Sequence, residues 1–254
     1  MVYHLMIYGL AFLLMGTTLS GESWAGGLKI AIDIGHTPKS PGAISARGVS
    51  EYLFNKNIAT RLHKKLKQDK RFKDSFIINE SGENISLSIR AAVATRRGAD
   101  LLISIHHDSV EPKDLSYWIY QEKIMAHCDK FTGYSIFYSE KNGSPVRSLI
   151  FAVVLGSEML RSGFCPTLHH AEKFTGGDKD LIDKTRGIYK YNQLVVLKNS
   201  TMPAVLFECG IIKSRIDELQ LSNSKYQQKL VDTLFRAITK YAELKDKNGF
   251  PKEQ

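Results

Sequence analysis

Two hydrophobic rhythms run through this chain. Short, nearly continuous apolar runs alternate with longer stretches in which apolar residues recur every third or fourth position. The runs at 28–34, 76–78, 101–106, 134–138, 194–197 and 204–208 predict strands. The unbroken apolar character of 101–106 predicts a central parallel strand covered on both faces. Leu53, Phe54, Ile58, Leu62 and Leu66 share one face of a helix that Ser50 caps and Glu51 opens. Ser86 caps a second helix, which reaches Arg97 and stops at Gly98. Ser144 and Pro145 open a third in the favoured cap-then-proline order. Val146, Leu149, Ile150, Val153 and Leu160 form its apolar face, and Gly163 ends it. The last helix spans 223–244 and buries Tyr226, Leu230, Leu234, Ile238 and Tyr241. Residues 37–48 and 165–187 read as loops, and 246–254 as a polar tail. Strands alternating with helices predict the α/β class: a single domain over 26–245, with a mostly parallel central sheet flanked by helices on both faces.

The first 25 residues stand apart. They hold no Lys or Arg and a single acid, Glu22. Residues 5–15 form an apolar core too short to span a bilayer, and Ser23-Trp24-Ala25 offers small residues for cleavage after Ala25. This predicts a signal peptide and an exported chain, acting in the periplasm or the extracellular envelope. No cysteine follows the apolar run, so no lipid anchor is expected. The 254 residues are 43% hydrophobic and 24% charged, which excludes collagen, a coiled-coil rod and a disordered chain. The 3 cysteines are too few for a disulfide framework. Cys128, Cys165 and Cys209 are expected as buried free thiols, with one bridged pair as the alternative. The formal charge of +9 fits an anionic partner without choosing among wall polymer, nucleic acid and lipid.

Candidate chemistry gathers at strand ends. His36 follows the first strand, His106 ends the run at 101–106, Glu208 ends the run at 204–208, and Glu51 opens the first helix. In a mostly parallel sheet the carboxyl ends of the strands share one edge, so these residues can meet. Two imidazoles and a carboxylate make a His2Glu zinc site with a free position for water, whose pKa falls to about 7. A second carboxylate, Glu208, can then take the proton and deliver it to a leaving amine. Each residue also has a plainer reading. His36 can be a loop residue, His106 a hydrogen-bonded core histidine, and Glu51 a response to the helix dipole. Glu208, flanked by Phe207 and Cys209 in a buried run, needs a partner or a metal. His169, His170 and Glu172 could bind metal or substrate, or form an exposed polar loop. Arg186, Tyr189 and Tyr191 could line a glycan groove or pack at a strand edge. Arg90 reads as a structural helix contact.

The ordered motifs resemble those of the zinc-dependent N-acetylmuramoyl-L-alanine amidases of the cell wall. Asp33-Ile-Gly-His36 is similar to the family's Asp-x-Gly-His start, and Gly48-Val-Ser-Glu51 to its Gly-x-x-Glu. Ser104-Ile-His106 is similar to its Ser-x-His, and Leu206-Phe-Glu208-Cys-Gly210 to its terminal strand. The likeness spans about residues 28–245. It implies hydrolysis of the amide between N-acetylmuramic acid and L-alanine in peptidoglycan, with one Zn2+ held by His36, Glu51 and His106 and with Glu208 catalytic. It implies peptidoglycan as partner, a protein activator as a further partner to look for, no nucleic acid, and a monomeric mature chain without a membrane span. Two features depart from the pattern. His107-Asp108 stands where the family has Ala-Asn, and Thr37-Pro38 replaces glycines after the first His. Strand alternation sends His106 and His107 opposite ways, and the motif match favours His106 as ligand. No long acidic helical insert is seen between 110 and 190. The alternatives are a zinc carboxypeptidase or endopeptidase of peptidoglycan, and a non-catalytic wall-binding protein.

Overall fold

The computed structural model describes residues 27–171 and 179–248. The expected signal segment, Glu172 and residues 249–254 of the expected tail lie outside the described residues. In chain order the elements are β1 (Ile30–Ile34), α1 (Glu51–Lys67), β2 (Phe76–Ile77), α2 (Leu87–Arg96), β3 (Leu101–Asp108), the hairpin β4 (Ser116–Tyr120) and β5 (Lys123–His127), and β6 (Ser135–Tyr138). They continue as α3 (Pro145–Arg161), β7 (Lys179–Asp183), β8 (Ile188–Tyr191), α4 (Val195–Lys198), β9 (Ala204–Ile211), α5 (Arg215–Ser222) and α6 (Ser224–Asn248).

Among the described residues one sheet of seven strands has the order β2-β1-β3-β9-β6-β8-β7. β2, β1, β3 and β9 are parallel neighbours, which sets the carboxyl ends of β1, β3 and β9 side by side. β6 runs against β9, β8 follows β6, and β7 turns back against β8. The sheet is therefore mostly parallel, with a reversed pair inserted beyond β9.

Alternation along the central strands divides the core in two. Ile30, Ile32, Ile34, Leu101, Ile103, Ile105, Val205 and Phe207 pack against α1, α3 and α6. Ala31, Leu102, Ala204 and Leu206 face the other way, with Phe137, Tyr189, Ala94 of α2 and Val196 of α4. With both faces covered, most positions of these strands favour an apolar side chain, hence the nearly continuous runs, with Asp33 and Ser104 as buried polar exceptions. Each fully buried Leu, Ile or Phe contributes about 1.5–3 kcal/mol relative to exposure. In α1, Glu51 occupies the first turn and Lys64, Lys65 and Lys67 the last, complementing the helix dipole.

Several expectations are corrected. Residues 194–197 form no strand: Val195–Lys198 is a helix, with Leu194 extended at its N-cap. A four-residue apolar run has no readable period, and here Asn142 Nδ2 donates to the carbonyls of Leu197 and Ser200 at the helix end. The stretch 165–187 contains β7 and a 3-10 turn, His169–Ala171. The β4–β5 hairpin carries no turn signal, because Gln121 and Glu122 adopt φ of 49° and 63° where Asn or Gly is usual. Cys128 and Cys209 are buried free thiols, but Cys165 is exposed. The final helix runs on to Asn248. Among the described residues no helix is long and apolar enough to cross a membrane.

Candidate metal centre

The site begins with a residue that points away from it. Asp33 in β1 is buried, and its Oδ1 accepts from Arg90 Nη1 at 2.9 Å while its Oδ2 accepts from Ser104 Oγ at 2.7 Å. Arg90, on α2 and also buried, extends the same guanidinium to the carbonyls of Ile34 and His36, the latter at 2.9 Å. The expected structural role of Arg90 therefore has a definite target, the chain where β1 gives way to His36. His36 has φ of +67°, a left-handed conformation that non-glycine residues seldom adopt. Gly35 is required by close approach, since a Cβ there would lie 2.5 Å from the His106 ring.

Glu51 sits where these pieces meet. Its Oε2 is 2.9 Å from His36 Nε2, and its Oε1 is 3.0 Å from His106 Nδ1. One ligating atom from each of the three residues lies within 4.8 Å of the others. The carboxylate also accepts from Ala43 N at 3.2 Å and from Asn55 Nδ2 at 3.2 Å. Burial alone would raise the Glu51 carboxyl, but its bonds to His106 and His36 hold it well below the usual carboxylate range. It is therefore an anion facing two imidazoles, the donor chemistry of a zinc-type site. His36, Glu51 and His106 are thus brought together, and the donor set fits a zinc ion.

Asn55, one helical turn beyond Glu51, was not singled out from the sequence. Its Nδ2 also donates to the Gly35 carbonyl at 3.0 Å, and its Oδ1 lies 2.7 Å from His107 Nδ1. The i, i+4 spacing from Glu51 was the available signal. His107 follows strand alternation onto the α1 face, buried beside Phe54 with ring centroids 5.4 Å apart. Burial brings its pKa down to about 3. It does not join the three converging atoms.

Glu208 is paired with His106 across the β3–β9 ladder, which becomes irregular between His106 and Asp108. Its Oε2 is shielded from water and has no hydrogen-bond partner. Burial, then the charges of Asp108 and Glu51, push its carboxyl well above the usual range. Cys209, on the opposite face, is core packing.

A second group converges nearby. Asp108 Oδ2 is 2.6 Å from His170 Nε2 and 3.4 Å from His169 Nε2. Neither histidine is an exposed loop residue; their side chains are 7% and 9% exposed. Arg186 is paired with Asp183 at 2.6 Å and donates to Ser157 at 2.9 Å. Tyr189 is buried, stacks on Phe137 at 5.3 Å and donates to the Thr167 carbonyl at 3.1 Å. Arg186 and Tyr189 thus follow the packing alternative rather than that of a glycan groove.

Comparison with known proteins agrees with this architecture. The chain is 26% identical over 249 residues to AmiB of Haemophilus influenzae, described as a probable N-acetylmuramoyl-L-alanine amidase. The match covers 91% of this chain and 56% of the Haemophilus protein, so the chain spans little more than half of that relative. The fold matches the catalytic domain of CwlV, an N-acetylmuramoyl-L-alanine amidase from Bacillus (Paenibacillus) polymyxa var. colistinus. That match has a TM-score of 0.65 and 23% identity and covers 85% of this chain and 98% of that one. An N-acetylmuramoyl-L-alanine amidase from Clostridium difficile 630 gives a TM-score of 0.65 at 24% identity, covering 86% and 98%. The family model for N-acetylmuramoyl-L-alanine amidase matches residues 30–240, nearly all of the described chain. The chain belongs to the N-acetylmuramoyl-L-alanine amidase family.

Proposed function

We propose that this chain is a zinc-dependent hydrolase that cuts the amide between N-acetylmuramic acid and L-alanine in peptidoglycan. His36, Glu51 and His106 hold one ion, and Glu208 moves the proton. The observation that carries the reading is the convergence of those three ligating atoms within 4.8 Å, beside a carboxyl in register with His106 whose Oε2 has no partner. When bound, the ion supplies Lewis-acid chemistry, polarising an amide carbonyl and acidifying water. Glu51, anionic and fixed by Ala43 N and Asn55, orients the two imidazoles. Glu208 takes a proton from the attacking water at its carboxylate and passes it to the departing nitrogen. An ion held by His36, Glu51 and His106 would favour the ionised form of this carboxyl, opposing the effect of burial. The substrate lies outside the cytoplasm, and the apolar core at residues 5–15, followed by Ser23-Trp24-Ala25, supports delivery there.

The test is Glu208→Gln, assayed by mass spectrometry of digested cell wall. The variant keeps its zinc, while release of stem peptides that begin with L-alanine falls by about 10²–10⁴-fold. Undiminished release would remove Glu208 from the proton path. Release of terminal D-alanine by the unaltered chain, with stem peptides left attached, would make it a carboxypeptidase instead.

A further inference from the structure

We infer that Asp108, His169 and His170 form a second divalent-metal site, separate from the His36, Glu51 and His106 trio and suited to a zinc-type ion. One ligating atom from each of the three lies within 4.8 Å of the others. The end of β3 brings Asp108, and the 3-10 turn brings both imidazoles.

Two details of the histidines point to an ion rather than to packing alone. His169 Nδ1 lies 3.0 Å from Thr167 Oγ1, and its Nε2, on a side chain only 7% exposed, is shielded from water and makes no well-aligned side-chain hydrogen bond, facing Asp108 Oδ2 at 3.4 Å with the Ser109 backbone also beside the ring. A buried polar nitrogen left unmade costs about 1–3 kcal/mol, which a metal bond removes. In the tautomer whose Nδ1–H donates to Thr167 Oγ1, Nε2 turns its lone pair toward Asp108, and such an outer bond is what orients a ligating imidazole. His170 Nε2 lies 2.6 Å from Asp108 Oδ2, repeating the imidazole-on-carboxylate contacts that Glu51 makes with His36 and His106. Two imidazoles and a carboxylate select zinc and its neighbours over calcium or magnesium, which prefer oxygen.

One group opposes the ion. Lys179 Nζ lies 3.2 Å from His170 Nδ1, which therefore accepts from the ammonium while Nε2–H donates to Asp108. Metal on Nε2 requires this proton to move to Nδ1, and Lys179 must then give up its bond. The ammonium competes with the ion for this corner, through both charge and tautomer.

The site does not depend on the function proposed above, and metal counting separates the two. The full chain is stripped with chelator, reloaded with zinc, dialysed and counted by plasma mass spectrometry, with Co2+ absorption as an independent readout. Glu51→Gln disables the first site and should retain one zinc per chain with a cobalt ligand-field spectrum. Adding His169→Gln and His170→Gln should remove both metal and spectrum, as should adding the near-isosteric Asp108→Asn, with circular dichroism unchanged. Zinc-free Glu51→Gln would overturn the inference and leave the proposed function standing. A single zinc lost only with His169 and His170 would support the inference and refute the first site. Lys179→Met in the Glu51→Gln background should tighten zinc by about tenfold or more. Unchanged affinity there would overturn the placement of the ion on His170 Nε2.

Discussion

Arg90→Lys is the sharpest probe of how the fold holds the site. Arg90 distributes one buried guanidinium over Asp33 Oδ1 and the carbonyls of Ile34 and His36. A lysine keeps the charge, and thus the partner of the buried Asp33, but its single ammonium cannot reproduce a planar fork onto three acceptors. Two charge-assisted bonds are lost, each worth about 1.5–3 kcal/mol. Some recovery from the ammonium's own donors brings the expected cost to about 3 kcal/mol. That leaves a domain with about 5–15 kcal/mol of stability folded. The effect on metal is separate. Without a donor on its carbonyl, His36 is no longer held at φ +67°, a conformation costing about 1–2 kcal/mol. Relaxation of that backbone swings the ring away from Glu51. Loss of such an outer contact weakens metal by about 10–100-fold. Urea unfolding of the metal-free chain measures the first quantity, and competition with a chelating dye measures the second. Full zinc affinity in a destabilised Arg90→Lys would show that Arg90 supports the sheet without holding His36. Unchanged stability would refute the account of the buried pair altogether.

Two further outcomes follow from the geometry. Gly35→Ala would place a methyl 2.5 Å from the His106 ring. Overpacking of this kind costs about 1–3 kcal/mol, and because the obstructed atoms belong to a side chain, the ring should move and zinc affinity should fall at least about tenfold; unaltered affinity would contradict the placement of His106. Glu158, on α3 and buried, is paired with Arg161, Arg236 and Lys240. Burial would raise its carboxyl, but Arg161 and Lys240 lower it below the ordinary value of 4.5. Its contribution is therefore present above that value and is lost as pH falls through the lowered one, with a slope of at most about 1.4 kcal/mol per pH unit. Glu158→Gln should flatten the acid limb of a stability–pH curve measured by urea melts, and an unchanged limb would remove Glu158 from it.

How much of this was legible in the sequence depended on what fixes each residue. β1, β3 and β9 are covered on both faces, so their composition alone marks them, and parallel pairing then obliges His36, His106 and Glu208 to meet at one edge. The separation of His106 from His107 was also legible, because a strand has a period of two, while the preference for His106 came from the Ser-x-His motif. Legibility ends where partners come from afar. His169 and His170 lie in a polar stretch and read as exposed, yet Phe131 and Phe137 each approach one of their rings from other parts of the chain. Gln121 and Glu122 make a turn that their side chains do not favour, and α4 is too short for any helical period to emerge. The same distinction separates the two clusters. The first is set by strand register and a helix start, features written locally. The second forms because a turn some 60 residues away in the chain folds back onto Asp108. Its signal lies in the fold rather than in any local stretch of sequence.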